Sequence, residues 1–90
     1  MKAVVTVLGS DRPGIIATVS TALYKCNANI LDISQTVLQG EIFSMIMMVD
    51  LKAATVPFPE FKAAMDGCAA ELGMEIQVQR EELFKSMHRI

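Results

Sequence analysis

The sequence has little positive charge and no long apolar run, and each of these absences excludes a class of protein. It carries 8 lysine and arginine residues against 10 acidic ones, for a net charge of −2. A nucleic-acid-binding surface needs an excess of basic residues. A membrane-spanning helix needs roughly 20 apolar residues, and the apolar run at the N-terminus is too short for a signal peptide. We therefore expect a cytoplasmic protein whose partners include neither nucleic acid nor a membrane.

The residues that bind metals and form disulfides are also scarce. The chain has two cysteines, Cys26 and Cys68, and one histidine, His88, and it has no Cys-x-x-Cys pair. A structural zinc site needs four such ligands at characteristic spacings. Both cysteines lie in patterns typical of helices, so we expect two buried free thiols. We expect no metal site and no cofactor.

The length and the apolar content together indicate one small domain that associates with itself. The 90 residues are 52% apolar, yet a chain of this size buries only about 60 to 65% of its unfolded surface. A second copy of the chain is the simplest cover for the excess apolar surface, and we expect a homodimer. No linker or internal repeat divides the chain, so residues 1–90 are predicted to form a single domain, with its core at 1–81 and a tail at 82–90.

Along the chain, apolar residues alternate between the strand period of two and the helical period of 3.6. Residues 2–9 are rich in β-branched side chains and have little polar face, which is typical of a central strand. The predicted elements are a strand at 2–9, a helix from Pro13 to Cys26, two strands that meet near residues 39–41, a helix within 57–73, and a strand at 74–80.

This order, βαββαβ, predicts a ferredoxin-like α+β fold with a four-stranded antiparallel sheet and both helices on one face. The predicted strand at 42–49 is apolar on both faces except at Ser44. The face away from the helices therefore needs a cover of its own. The tail carries apolar residues at near-helical spacing and is predicted to be a short helix, so either the tail or a partner subunit supplies that cover. These tail residues are Leu83, Phe84, Met87 and Ile90.

The stretch "SDRPG", residues 10–14, combines two charged residues with a proline and a glycine, which is more than a plain connecting loop needs. If a helix begins near Pro13, the free N–H groups of its first turn form an anion site at the mouth of the loop. Gly14 has no Cβ and lets a ligand approach the backbone. Asp11 adds a carboxylate, and N–H donors beside a carboxylate complement a zwitterion such as an amino acid.

Asn29, at the start of the next predicted strand, offers a donor and an acceptor that can join this site within one chain or across a dimer. The alternative is purely structural. In that interpretation Asp11 or Ser10 caps the helix, Pro13 and Gly14 form a turn, and Asn29 begins a strand.

The motifs "GSDRPGIIATVSTAL", "ANILDISQTVLQGEIFSMIMMV" and "ELFKSMHRI" carry a resemblance that covers essentially the whole chain. They resemble the ACT domain, a small regulatory module that senses amino acids in many metabolic enzymes and in some regulators. They are most similar to stand-alone single-ACT-domain proteins of bacteria and archaea, and to the ACT modules of the glycine cleavage system transcriptional repressor.

The resemblance implies a site and an assembly. Such domains pair side by side through edge strands and hold a ligand between subunits, and their first-loop glycine, which maps onto Gly14, lets backbone groups meet it. Asp11 stands where amino-acid binders often carry Asn, and Asn29 matches the Asn that opens their second strand. The expected ligand-binding residues are therefore Asp11, Arg12, Pro13, Gly14, Ile15, Asn29 and Ile30.

Three functions compete at this stage. The first is a homodimeric module that senses a small molecule, such as an amino acid, and transmits the change to a regulated protein partner. The second is an interaction module without a ligand, whose contact surface would be formed by Met45, Met47, Met48 and Met87. The third is an acylphosphatase-like enzyme using Arg12 and Asn29. Asp11 would repel a phosphate and no nucleophile lies beside a base, so we assign no catalytic residue and expect no enzyme.

Overall fold

A computed structural model describes residues 1–82, which form a four-stranded antiparallel sheet with two helices packed on one face. The elements are β1 (Lys2–Ser10), α1 (Ile15–Lys25), β2 (Asn29–Leu38), β3 (Ile42–Asp50), α2 (Phe58–Leu72) and β4 (Glu75–Arg80). The strand order is β2-β3-β1-β4. The predicted ferredoxin-like fold and the central position of β1 are confirmed. The predicted apolar tail lies outside the described residues.

The core lies between the helices and one face of the sheet. Val5 and Val7 of β1 belong to the same core cluster as Phe61 and Met65 of α2, and all four side chains are at most 1% exposed. The helix-facing side of β3 contributes Met45 and Met47 to the same cluster. These two methionines therefore cannot form the contact surface that the interaction-module hypothesis gave them. Of the other two, Met48 is half-buried on the opposite face, and Met87 lies outside the described residues.

Strand β2 is an edge strand and is far more exposed than its alternating pattern suggests. Its only residue packed against the core cluster is Ile30, and all the others are exposed. A β-bulge between Ile30 and Asp32 shifts the register and interrupts the alternation at Leu31. Ile33 and Val37 face the helix side but remain 43% and 41% exposed. The alternating pattern therefore predicts correctly that Ile33 and Val37 share one face of β2. It does not predict how far the helices extend over that face.

Helix α1 begins two residues later than predicted, and no side chain caps it. Its N-cap is Gly14, which adopts a left-handed conformation with φ +87°. Pro13 lies in the turn before the helix and not in its first turn, and neither Asp11 nor Ser10 caps it. The cap by Asp11 or Ser10 in the purely structural interpretation was wrong, because a glycine with positive φ turns the chain into the helix directly. At the end of α2, Gly73 forms the left-handed C-cap, at the last residue of the segment predicted to hold this helix.

Gly67 weakens α2 without serving its packing, so Gly67→Ala should stabilise the protein. Gly67 is exposed and its φ is not positive, and a Cβ added there would meet no atom within 4 Å beyond its chain neighbours and the nearby backbone of its own helix. We expect the free energy of unfolding to rise by up to about 1 kcal/mol. Urea unfolding followed by circular dichroism measures the change. The matched control is Ala63→Gly, at an exposed position of the same helix, which should lower the stability by a similar amount. An unchanged midpoint in both variants would contradict the prediction.

Candidate functional site

The loop after β1 is anchored to the β2–β3 turn. The Asp11 N–H donates to the Glu41 carbonyl at 2.8 Å, and the Glu41 N–H donates to the Leu38 carbonyl at 3.0 Å. Ser10, the last residue of β1, is paired with Ile42, the first residue of β3. Two backbone hydrogen bonds thus join Asp11 to the last residue of the exposed edge strand.

The start of α1 presents unpaired backbone donors beside this loop. The Thr18 N–H donates to the Gly14 carbonyl at 2.9 Å, so the three N–H groups before it have no acceptor within the helix. The first turn contains no acidic residue, and the positive end of the helix dipole is not neutralised from inside the helix. Apart from Gly14 and its two chain neighbours, no residue has an atom within 4 Å of the position that a Cβ of Gly14 would occupy. This arrangement leaves room for a negatively charged group above the helix.

The predicted loop residues share one exposed surface, with one exception. Asp11, Arg12, Pro13 and Gly14 are all exposed. The Arg12 Nε donates to the Pro13 carbonyl at 3.2 Å, which turns part of the guanidinium back onto its own loop. Ile15, by contrast, is only 2% exposed and belongs to the core. Its side chain cannot touch a ligand at the loop, and only its backbone N–H faces that way.

Asn29 and Ile30 lie at the opposite end of the sheet from the loop. Asn29 is paired with Asp50, and Asp50 is also paired with Lys2, the first residue of β1. The loop follows the other end of β1, eight residues away, which corresponds to roughly 26 Å. A single chain therefore does not bring Asn29 to the loop. The same separation removes the acylphosphatase-like arrangement within one chain, because Arg12 and Asn29 cannot meet there.

A shallow groove that sequence reasoning missed opens at the loop end of the sheet. It is lined by residues of β1, the ends of the β2–β3 hairpin and the α2–β4 connection, namely Leu8, Gly9, Ser10, Leu38, Ile42, Gly73, Met74 and Glu75. The sequence feature that could have indicated this groove is Gly9, because a glycine inside a strand often marks the close approach of another group. A Cβ on Gly9 would lie 2.8 Å from the Met74 Cγ.

The two thiols take no part in this site. Cys26 and Cys68 are free and buried, as predicted. Burial raises the pKa of the Cys68 thiol, and the nearby Glu71 and Cys26 raise it further. Its Sγ makes a weak hydrogen bond to the Thr18 carbonyl at 3.8 Å. Because the thiolate is the reactive form, a raised pKa disfavours nucleophilic or redox chemistry at Cys68.

Residues 1–82 lack a cluster of metal ligands and a helix that could span a membrane. This part of the chain brings together no group of three or more His, Cys, Asp or Glu side chains able to hold a metal ion. None of its helices is both long enough and apolar enough to cross a membrane. The cytoplasmic location stays a prediction.

These features define a ferredoxin-like domain with an open loop between its first strand and first helix. The ACT domain family model matches residues 2–79. The chain belongs to the ACT domain family and is a regulatory module of that family. The UPF0237 protein of Methanopyrus kandleri is 47% identical over 89 residues, which cover 99% of this chain and 98% of that protein.

Solved structures agree with this assignment. An ACT domain protein from Streptococcus pneumoniae superimposes with a TM-score of 0.80 at 35% identity, and the match covers 94% of each chain. The ligand-free regulatory subunit of aspartate kinase from Thermus thermophilus has a TM-score of 0.69 at 26% identity, covering 87% of this chain and 50% of that one. The predicted resemblance to the ACT domain is confirmed along nearly the whole chain.

Proposed function

We propose that the protein is a homodimeric sensor of an amino acid, which binds between the first loop of one subunit and the start of β2 in the other. The observation that carries this proposal is the pair of hydrogen bonds that attaches Asp11, through Glu41, to the last residue of β2. It places the loop at one end of an exposed edge strand. Binding would favour one packing of the two subunits, and a regulated protein partner would respond to that packing. The module itself is not an enzyme.

The exposed edge of β2 supports the dimer. This strand has ten residues, and Leu31, Ile33, Val37 and Leu38 are each at least 41% exposed. The other edge strand, β4, has six residues and packs against α2. A long apolar edge with unpaired N–H and C=O groups is a template for pairing with another strand. Two copies of β2 related by a two-fold axis would pair antiparallel and join the two sheets into one.

Antiparallel pairing of the two β2 strands would complete the site. It reverses the direction of one strand against the other, so the Asn29 end of one copy meets the Leu38 end of its partner. The loop is attached to the Leu38 end by hydrogen bonds. Asn29 of the partner subunit would thus approach Asp11 and Gly14, which Asn29 of the same chain cannot reach.

The groups assembled in this way match the head group of a free amino acid. The N–H groups at the start of α1 would bind the α-carboxylate. The Asp11 carboxylate would accept hydrogen bonds from the ammonium group of the ligand. The side-chain amide of the partner's Asn29 can donate to the α-carboxylate and accept from the ammonium group. The likeness to the regulatory subunit of aspartate kinase supports a regulatory role. Asp11 stands where amino-acid binders often carry Asn, and its charge favours a ligand with a cationic group.

The first test is a thermal-shift screen against the amino acids and several 2-oxo acids, confirmed by calorimetry. A ligand at 100 times its dissociation constant adds about 2.7 kcal/mol, which raises the Tm of a domain this small by about 10 °C or more. We expect one compound or a small related group to produce the shift. No shift with any compound would contradict the sensor and favour the interaction module without a ligand.

The second test asks whether the site lies between subunits. Asp11→Ala and Asn29→Ala should each abolish the shift, whereas Asp66→Ala, at an exposed position of α2, should not. Mixed subunits of the two inactive variants form heterodimers with one intact site, so equal mixing should restore about a quarter of the sites. Calorimetry of the mixture counts them. Absence of recovery, with exchange verified by mass spectrometry, would contradict a site shared by two subunits. Gly14 is less suitable, because its positive φ makes any substitution strain the loop as well.

A further inference from the structure

An exposed apolar patch lies on the outer face of the sheet, which is the face that points away from the helices. The patch consists of Leu8, Leu38, Ile42 and Ile46, and each of these side chains is at least 45% exposed. Ile42 is paired with Leu38, and Leu8 is paired with Ser44, which lies between Ile42 and Ile46 on β3. The residues that alternate with them in β1 and β3 belong to the helix-side core. The four side chains therefore form one continuous surface, the outer patch, at the loop end of the sheet.

The outer patch is not flat. The short side chain of Ser44 lies in a depression that is also lined by Leu8 and Ile46. A second depression, beside the first, is lined by Leu8 and Ile42. Glu75 lines both depressions. Adjoining depressions of this kind accept apolar side chains that project from a partner's surface.

The dimensions of the outer patch match one side of an α-helix. Ile42 and Ile46 are four strand residues apart, or about 13 Å, and the patch spans three strands, or roughly 10 Å. An amphipathic helix places apolar side chains at i, i+3 or i+4 and i+7, which covers about 10 Å. Strands β1 and β3 are each paired on both sides, so their backbones cannot accept an added strand. A helix suits this surface better than an extended peptide.

The charges around the outer patch are acidic. Glu75 is paired with Leu8 on the β4 side, and the exposed Glu41 lies in the turn between β2 and β3. None of the strand residues that the structure describes on this half of the outer face is a lysine or an arginine. The nearby Arg12 donates its Nε to the Pro13 carbonyl. Two copies packed face to face would oppose like charges, whereas a partner with basic flanks would be attracted.

We propose that the outer patch is a docking site for an amphipathic helix of another protein, with apolar residues on one side and lysine or arginine on its flanks. The patch is attached to the loop after β1, because Ile42 is paired with Ser10 and Leu38 is joined to Asp11 through Glu41. Pairing of two β2 strands occurs within the plane of the sheet and leaves the outer face open. The docking site goes beyond the proposed sensor and depends neither on the ligand nor on the β2 dimer.

The test is a selection against the full-length protein from a displayed library of helical peptides about 18 residues long. We expect the selected peptides to carry apolar residues at i, i+3 or i+4 and i+7, with lysine or arginine beside them. A labelled synthetic copy of the strongest binder then gives a dissociation constant by fluorescence anisotropy. Selected peptides without this pattern, or a selection that yields no binder, would overturn the proposal.

Substitutions locate the peptide on the surface. Ile46→Ser should weaken its binding by about tenfold or more. The matched control is Ile16→Ser, at a 41% exposed position of α1, which should leave binding unchanged. Glu75→Gln should weaken binding by about two- to fivefold at low salt and reduce its salt dependence, whereas Glu71→Gln, at an exposed position of α2, should do neither. Circular dichroism verifies that each variant is folded. Equal binding by the wild type and Ile46→Ser would overturn the proposal.

Two further measurements test the other possible occupants of the outer patch. Analytical ultracentrifugation of the free protein should give the same oligomeric state for the wild type and Ile46→Ser. A smaller assembly in Ile46→Ser would mean that a second copy covers the patch, which overturns the proposal. Co-sedimentation with vesicles of phosphatidylcholine and phosphatidylserine should detect no binding. Vesicle binding that Ile46→Ser abolishes would assign the patch to a membrane and would also overturn it.

Discussion

Ile33→Lys in β2 is expected to convert the dimer into a folded monomer and to abolish the response to the ligand at the same time. Ile33 lies near the middle of the edge strand and is 43% exposed in the single chain. In a two-fold symmetric β2 pair the residue occurs twice, so each dimer acquires two lysines near its axis. Like charges opposed across a strand pair destabilise it, and lysine on an edge strand is a natural device against such pairing.

The expected effect on association is large, whereas the effect on folding is small. Placing partly buried charges in an apolar interface opposes association by about 3 kcal/mol or more, which corresponds to an increase in the dissociation constant of about 100-fold or more. Within the chain, Ile33 is not part of the core cluster, so circular dichroism should report a folded protein. Analytical ultracentrifugation at micromolar concentration should then find mainly monomer.

Loss of the ligand response is the second expected consequence, because the monomer lacks the partner's Asn29. The matched control is Gln77→Lys, which adds the same charge to an exposed residue of the other edge strand, β4. That variant should remain a dimer and keep its thermal shift. If Gln77→Lys dissociates the protein and Ile33→Lys does not, the subunits pair through β4. An Ile33→Lys monomer that still binds the ligand would instead place the site within one chain.

The parts of the fold that the sequence predicts well are those where the period of the apolar residues follows from burial. Strand β4 and helix α2 keep strict periods because one side of each packs against the core, where Ile76 is 8% and Phe61 is 0% exposed. Gly73 marks the end of α2 reliably, since a left-handed cap strongly favours glycine. Local rules of this kind need no knowledge of the rest of the chain.

The parts that the sequence does not predict depend on distances between segments. Asn29 and Asp11 look compatible as one site, but strand pairing places them at opposite ends of the sheet. The start of α1 also differs from the prediction, because Asp11, Pro13 and Gly14 each suit more than one position near a helix start. The exposure of β2 depends on how far the helices extend across the sheet. That distance cannot be predicted from the alternation of apolar residues in one strand.

Gly9→Ala is expected to destabilise the protein by about 1–3 kcal/mol, which is the opposite of the usual effect of replacing a strand glycine. A Cβ at this position would lie 2.8 Å from the Met74 Cγ and 3.1 Å from the Met74 Cβ. The direction of a Cβ is fixed by the backbone, so the methyl group cannot rotate away. Met74 is only 8% exposed, and its N–H donates to the Ala69 carbonyl at 3.0 Å, so it has little freedom to withdraw.

A double-mutant cycle with Met74→Ala tests the cause. Met74→Ala alone removes a buried side chain and should be destabilising by about 2 kcal/mol or more. In that background Gly9→Ala should cost much less, because the Cγ and the atoms beyond it are gone. We expect a coupling energy of about 1–2 kcal/mol between the two positions, measured by urea unfolding. If Gly9→Ala costs the same in both backgrounds, its effect does not arise from contact with Met74.

The same contact links the packing to the proposed site. Gly9 and Met74 both line the groove at the loop end of the sheet, and Asp11 follows Gly9 by two residues. Relief of the clash would move the end of β1 away from β4 and would carry the loop with it. The thermal shift caused by the ligand should therefore decrease in Gly9→Ala and recover, at least in part, in the double variant. A full shift in Gly9→Ala would mean that the ligand loop tolerates displacement of the strand that precedes it.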